Sequence, residues 1–393
     1  MADWNGVSLP RDSLVRLKVD RYVEQLISIL ELDSGNLGNK DNRTAMKLSY
    51  AHSQLNPTGW KSADLVNGKA DLTIPLSTEQ QSGLRTAAQD IVASGQPLDH
   101  LTHHIQSMDT LAKTLRRAAH EVDSGRGIVI LQGFPLAESS LAEIEVMYWL
   151  VGLWFGTPVS QSVLGERLGH VEDLSDIDPD ARAYRSHWEL GLHTDISDIV
   201  SFLCVRRAAS GGMSRFANAI ALHDAMLSRH PDALKILYRG FHWHRLGEQA
   251  EGQSSITEHR VPLFSELDGY VSCRYIRNYI REAAHDLGGL TSEQEQALNL
   301  FDEIARSKEF CLECMLEPGE AVVMNNHTTL HARTAFENGT DPTDKRLLLR
   351  LWMASHTPRP TLPEIEVFGT GRAGGIAARE NATPSFRRRD SAE

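Results

Sequence analysis

The chain has 393 residues, and 40 Lys and Arg against 52 Asp and Glu give it a formal charge of −12. Hydrophobic residues make up 41% and charged residues 23%, which is typical of a globular protein and excludes a disordered or fibrous chain. An acidic chain is poorly suited to bind nucleic acid through its phosphates, and no apolar run is long enough to cross a membrane. With four cysteines and no leader pattern after Met1, we expect a cytoplasmic protein without a disulfide framework.

Residues 1–120 are polar and predict a mostly helical N-terminal extension. Apolar residues recur there at near-helical spacing, at Val15, Leu17, Val19, Tyr22, Val23, Leu26, Ile27 and Leu30. The extension could form a lid or the contact of a homo-oligomer, and its helical pattern does not choose between them.

A second region, 121–368, begins near Gly125-Arg126-Gly127 and alternates short strands with a few helices. Predicted strands lie at 128–131, 199–205, 269–273, 309–316, 321–324 and 347–353, and predicted helices at 141–155, 220–228 and 292–306. This pattern predicts an α+β fold with a jelly-roll core, a double-stranded β-helix, that carries helical decoration. Residues 369–393 are rich in Gly and Ala, end near three consecutive arginines, and predict a flexible C-terminal tail.

The string His193-Thr194-Asp195 is the first sign of a metal site. In extended backbone, residues i and i+2 point to the same face, so that one imidazole and one carboxylate converge. His331, which follows the predicted strand 321–324, offers a third ligand. Two histidines and one carboxylate leave three positions open on a metal, which suits non-haem Fe(II). The same residues could also form a three-ligand zinc site.

Arg346 and Arg350 lie four residues apart in an otherwise apolar stretch. A buried charge is costly unless it is paired, so that these arginines should meet anions. The anions could be acidic side chains of the protein, or a dicarboxylate cosubstrate, because arginine binds a carboxylate through two parallel hydrogen bonds.

These residues together resemble the TauD/TfdA family of Fe(II)- and 2-oxoglutarate-dependent dioxygenases, which have the clavaminate synthase-like fold. The resemblance extends from about Gly127 to Ser355, and it includes Gly211-Gly212 before Ser214 and Phe155-Gly156-Thr157-Pro158. It departs from the family in a slightly long loop, 337–344, and in the N-terminal 120 residues.

The resemblance implies a function for each candidate residue. His193, Asp195 and His331 would bind Fe(II) as the catalytic centre, and Arg346 with Ser214 would hold 2-oxoglutarate. Substrate contacts are expected from Arg350, Ile196 and Arg281. The protein would use Fe(II), 2-oxoglutarate and O2.

The expected reaction is oxidation of an unactivated C–H bond, with release of succinate and CO2. Arg350 suggests a small carboxylate-bearing substrate such as an amino acid; a larger apolar natural product is the alternative. Halogenating relatives lack a carboxylate where Asp195 stands, which favours hydroxylation here, although desaturation or cyclisation uses the same chemistry. A zinc hydrolase and a non-catalytic metal-binding relative are the other classes of function that the sequence allows.

Three patterns resemble functional motifs but have simpler interpretations. His327 lies four residues before His331, and a turn at Asn325-Asn326 makes it the weaker ligand candidate. Cys311 and Cys314 form a CxxC motif in a predicted strand, where they point to opposite faces and should stay unlinked. The stretch 274–281 mixes arginine with aromatic residues, and we expect a strand edge and loop near the mouth of the site.

Overall fold

The computed structural model describes residues 59–101, 109–175, 185–341, 344–371 and 374–380. The helical pattern at 15–30 and the three terminal arginines lie outside these ranges. Within them the protein is a mixed α+β structure of helices and several sheets.

The described helices include most of those that the sequence predicts. They are α1 (Thr78–Ser94), α2 (Asp109–Asp123), α3 (Leu141–Gly152), α4 (Ala219–Arg229), α5 (Pro231–Arg239), α6 (Arg277–Asp286) and α7 (Ser292–Arg306), with short 3₁₀ helices at Ser62–Asp64, Gly68–Leu72, Leu98–His100 and Pro363–Ile365. Capping boxes begin α1 at Ser77, α3 at Ser140 and α7 at Thr291, because each hydroxyl accepts the N–H of the third helical residue. Helix α3 ends at Gly152, three residues before the predicted end, because the chain turns there toward a short strand.

The strands form a larger sheet, a smaller sheet, the hairpin of β9 and β10, and a short pair of β7 with β14. They are β1 (Thr73–Pro75), β2 (Ile128–Gln132), β3 (Gly156–Pro158), β4 (Leu168–Val171), β5 (Leu190–His193), β6 (Ile199–Arg206), β7 (Ser210–Gly211), β8 (Ser214–Asn218), β9 (Phe264–Leu267), β10 (Tyr270–Cys273), β11 (Cys311–Cys314), β12 (Glu320–Asn325), β13 (Thr329–Arg333), β14 (Phe336–Glu337) and β15 (Leu347–Ser355). The major sheet has the order β1-β2-β12-β6-β15-β3, with β4 also pairing with β15, and the minor sheet has the order β11-β8-β13-β5.

The central strands of the major sheet are apolar on both faces because each face is covered. Val129 and Leu131 pack with helices α1, α2 and α3, whereas Ile128 and Ile130 face the core that includes the minor sheet. This double burial explains the continuous β-branched run that the sequence shows at 128–131.

The N-terminal region contributes a strand that its polar, helical pattern does not predict. Strand β1 pairs in parallel with β2, from Thr73 opposite Ile130 to Pro75 opposite Gln132. Nearby, Lys69 donates to the buried carboxylate of Glu320 at 2.8 Å, which links this region to the beginning of β12.

The predicted flexible tail is wrong for residues 374–380. Ile376 is 1% exposed and belongs to the core, and the N–H of Gly375 donates to the carbonyl of Ile196 at 2.7 Å. Burial of the Ile376 side chain and this backbone hydrogen bond hold the segment against the core, although its composition is rich in glycine.

Disulfide bonds and membrane-spanning helices are absent from the part of the chain that the structure describes. The four cysteines are all free thiols, so that Cys311 and Cys314 of β11 are unlinked. None of the helices in the described ranges is long and apolar enough to span a bilayer.

Candidate metal centre

Two histidines and one aspartate come together at the end of the minor sheet. His193 is the last residue of β5 and lies directly opposite His331 of β13 in the antiparallel ladder. The Nε2 atom of His193 lies 3.8 Å from Oδ1 of Asp195, and Nε2 of His331 lies 3.6 Å from Oδ2. Their ligand atoms lie within 4.8 Å of one another, the one such cluster found in the described part of the chain.

Hydrogen bonds orient the imidazole of His193 and the carboxylate of Asp195. Nδ1 of His193 lies 2.8 Å from the carbonyl of Gly191, where an Nδ1–H donor leaves the Nε2 lone pair facing the other two groups. The N–H of Asp195 donates to Oδ1 of Asn326 at 2.9 Å, and the indole N–H of Trp352 donates to Oδ2 of Asp195 at 2.8 Å. Outer partners of this kind orient the ligands of a metal ion.

The protonation states suit metal binding. Burial would raise the pKa of Asp195, but His331, Arg350 and His193 hold that pKa below its usual value. Burial, together with the neighbouring His193, lowers the pKa of His331 to about 3. A metal ion needs an ionised carboxylate and a neutral imidazole, and the site supplies both near neutral pH.

The spacing and chemistry of these donors fit a divalent metal ion. Bonds of about 2.0–2.2 Å at right angles bring ligand atoms to roughly 3 Å from one another, slightly closer than the distances above. Two imidazoles and one carboxylate leave three positions for further ligands, as in non-haem Fe(II) sites.

A cavity opens beside the cluster, between the major and minor sheets. Most of its lining is apolar and comes from both sheets, but three arginines also line it: Arg333, Arg346 and Arg350. This lining suits small ligands that carry negative charge.

Arg346 and Ser214 lie together in this cavity, as the sequence predicts. Arg346 is 4% exposed, its Nη1 has no hydrogen-bond partner among the described residues, and burial lowers its pKa to about 10. Gly212 makes room for it: a Cβ there would lie 3.4 Å from Nε of Arg346, and its φ of 72° favours glycine. The unpartnered guanidinium nitrogen is ready to bind an anion.

Arg350 lines the same cavity and lies against Gln161 and Trp352. Its Nε donates to Oε1 of Gln161 at 2.6 Å, its guanidinium carbon lies 4.8 Å from the centre of the Trp352 ring, and its charge helps to lower the pKa of Asp195. Gln161 in turn donates to the carbonyl of Arg350 at 2.9 Å. The side chain is thus held beside the metal ligands and lines the cavity.

Two predicted substrate contacts lie elsewhere. Arg281 is exposed on α6 and lines a separate surface depression with residues of α7, because 277–286 form a helix and not the predicted strand edge and loop. Ile196 is buried in the core, where its carbonyl is covered by Gly375, and it is absent from the described lining of the cavity.

Arg274 and His327 lie near the three-residue cluster but do not belong to it. Arg274 is buried and donates to the backbone carbonyl of Asp195, so that it supports the segment that carries this carboxylate. His327 pairs with Asp198 at 3.0 Å and stays outside the three-residue cluster, which agrees with the preference for His331.

Sequence reasoning missed Trp352, Gln161 and Arg333. Trp352 and Gln161 contact residues 157 and 189 positions away, which no local pattern reveals. The sequence did indicate Arg333, because it follows the candidate ligand His331 by two residues and therefore lies on the same face of the strand as His331.

Comparisons with known proteins identify related sequences and structures. The sequence model described as "Taurine catabolism dioxygenase TauD, TfdA family" matches residues 93–352. FR-33289 synthase of Streptomyces rubellomurinus is 29% identical over 301 residues, covering 75% of this chain and 88% of that protein. Taurine hydroxylase-like protein SAT17 of Stachybotrys chartarum is 27% identical over 300 residues, covering 72% of this chain and 75% of that protein.

Solved structures share the fold. Asparagine oxygenase with Fe(II), 2S,3S-3-hydroxyasparagine and succinate superposes with a TM-score of 0.56 at 16% identity, covering 78% of this chain and 100% of that one. The non-haem iron oxygenase OrfP with Fe, succinate and (3S)-hydroxy-L-Arg gives 0.57 at 14% identity, covering 76% and 99%. The family match spans more than half of the chain, which therefore belongs to the TauD/TfdA family and is a non-haem iron dioxygenase that uses Fe(II), 2-oxoglutarate and O2.

Proposed function

We propose that the protein oxidises an unactivated C–H bond of a small, carboxylate-bearing substrate such as an amino acid, with release of succinate and CO2. The observation that carries this proposal is the position of Arg350, whose guanidinium group lines the cavity beside the His193, Asp195 and His331 cluster.

In this proposal, His193, Asp195 and His331 hold Fe(II), and Arg346 with Ser214 holds the carboxylate of 2-oxoglutarate that lies away from the metal. The two sheets around the cavity form the double-stranded β-helix of the family. When bound, iron and 2-oxoglutarate supply the oxidation of the C–H bond. The protein orients the reactants and keeps water out of an apolar cavity.

Arg350 binds the substrate carboxylate and thereby fixes which C–H bond faces the metal. Gln161 and the Trp352 ring hold its guanidinium in one orientation, so that little side-chain freedom is lost on binding. The asparagine oxygenase and OrfP structures, which hold hydroxylated amino acids, agree with an amino-acid-sized substrate. The carboxylate of Asp195 favours hydroxylation over halogenation; desaturation and cyclisation use the same bound groups.

A screen of amino acids and organic acids for stimulated succinate release tests the proposal. With Fe(II) and 2-oxoglutarate present, we expect at least one carboxylate-bearing compound to accelerate succinate formation. Arg350→Met should then lower kcat/KM for that compound roughly 30- to 1000-fold, since a buried charge pair loses one partner, while anaerobic 2-oxoglutarate binding stays intact.

Arg229→Met is the matched control, because Arg229 is exposed at the end of α4 and paired with Glu309. It should leave succinate release unchanged. Stimulation by an apolar compound without a carboxylate, with Arg350→Met fully active, would instead support a larger apolar natural product as substrate.

A further inference from the structure

A third arginine in the cavity, Arg333, has no assigned function. It is 6% exposed at the end of β13, and its Nη2 donates to the carbonyl of Ser186 at 2.8 Å and to that of Trp188. Its Nε and Nη1 are buried and have no hydrogen-bond partner among the described residues. Carbonyl oxygens satisfy only part of this side chain and do not neutralise its charge.

Arg333 lies at the same end of the cavity as Arg346 and Ser214. In the ladder between β13 and β8, Arg333 is the direct partner of Ser214, so that the two side chains lie next to each other on one face. The ring of Phe336 contacts both guanidinium groups, with its centre 4.7 Å from that of Arg333 and 4.9 Å from that of Arg346. Strand β13 of the minor sheet and the residue just before β15 thus each supply one cation to this end.

No described carboxylate forms an ion pair with either guanidinium. Asp173 is the acidic group that acts on Arg333 from a distance, and it is already bound to Ser175 at 2.6 Å and paired with His187 at 3.3 Å. Two buried like charges without a counter-ion are costly, and a bound anion relieves that cost.

We propose that Arg333 is a second cosubstrate-binding arginine, which binds the carboxylate of 2-oxoglutarate that lies away from the metal, together with Arg346 and Ser214. This inference rests on the proposed function. The primary substrate is the less suitable partner for Arg333, because the residue proposed to bind it, Arg350, lies against Trp352 and Asp195, whereas Arg333 shares Phe336 and Ser214 with Arg346.

Anaerobic titration calorimetry on the Fe(II)-loaded protein tests this inference without turnover. The ligands are 2-oxoglutarate and 2-oxovalerate, which keeps the metal-chelating end but has a methyl group in place of the far carboxylate. Arg333→Met should weaken 2-oxoglutarate binding about 10- to 100-fold, the usual effect of hydrogen bonds to a charged group. Binding of 2-oxovalerate should change less than about twofold. Arg333→Lys, which keeps the charge, should restore part of the lost affinity.

Each alternative gives a different result. A structural role for Arg333, limited to the carbonyls of Ser186 and Trp188, predicts equal changes for both ligands and would overturn the proposal. Unchanged 2-oxoglutarate affinity with a raised KM for the primary substrate would also overturn it and assign Arg333 to that substrate. If the wild type binds no 2-oxoglutarate, the proposed function itself fails. The control variant Arg229→Met should behave as the wild type toward both ligands.

Discussion

Replacing Trp352 with phenylalanine removes the hydrogen bond that the indole N–H donates to the carboxylate of Asp195 at 2.8 Å. That bond holds one carboxylate oxygen, while the other lies 3.8 Å from Nε2 of His193. Without it, the carboxylate can rotate away from the two imidazoles. Hydrogen bonds to charged groups are worth about 1.5–3 kcal/mol, and loss of an outer partner commonly lowers metal affinity about 10- to 100-fold. We expect Trp352→Phe to weaken divalent-metal binding by that factor.

Trp149 provides a matched control for this change. It is a buried tryptophan of α3, and its indole nitrogen has no hydrogen-bond partner among the described residues. Trp149→Phe removes a similar volume from the core that faces α1 and α2, and should lower the free energy of unfolding by about 1–3 kcal/mol with unchanged metal affinity. Competition of Co(II) or Fe(II) against a chelator, under anaerobic conditions for iron, measures the affinity of both variants. Equal affinities in the wild type and Trp352→Phe would refute the positioning role of Trp352.

Three further outcomes follow from contacts described above. Glu320→Gln should lower the free energy of unfolding in urea by about 2–3 kcal/mol, because the partly exposed Lys69 loses a buried partner; a loss below 0.5 kcal/mol would contradict this. Gly212→Ala and Gly252→Ala both place a side chain at positive φ, at a cost of about 1–2 kcal/mol. Only Gly212 lies against Arg346, which we propose to bind the cosubstrate, so that calorimetry should show weakened 2-oxoglutarate binding in Gly212→Ala alone. The free energy of unfolding of the metal-free protein should fall by on the order of 1 kcal/mol between pH 7.5 and 5.5. The reason is that the unfolded chain protonates His331 below about pH 6.5, whereas the folded protein does so only near pH 3. A melting temperature that is independent of pH over this range would contradict this.

Local patterns predicted the parts of the site that depend on local geometry. His193 and Asp195 are two residues apart at the end of one strand, and Arg346 and Arg350 are conspicuous as charges in an apolar stretch. The preference for His331 as the candidate third ligand also came from local structure: His331 lies on β13 and clusters with His193 and Asp195, whereas His327 lies in the turn before it.

The remaining contacts depend on how distant segments pack. The stretch 274–281 was misread because its helix is stabilised from outside: Arg277 pairs with Glu295 at 2.5 Å and with Asp302 at 3.4 Å on α7. Strand β1 has three residues, too few for a periodic signal, and forms because β2 offers it a free edge. Ile376 is a single apolar residue among glycines and alanines, and only its packing shows that this segment belongs to the core.

The hydrogen bond from Gly375 to the carbonyl of Ile196 connects the end of the described chain to the residue that follows Asp195. A shortened protein cut to the limits of the family match, 93–352, would keep every side chain of the metal cluster and still lose this contact. It would also lose β1 and leave the backbone of β2 unpaired at the edge of the major sheet, where exposed edges promote aggregation. We therefore expect the smallest unit that both folds and holds metal to extend at least from Thr73 of β1 to Ile376, well beyond the segment by which the family is recognised.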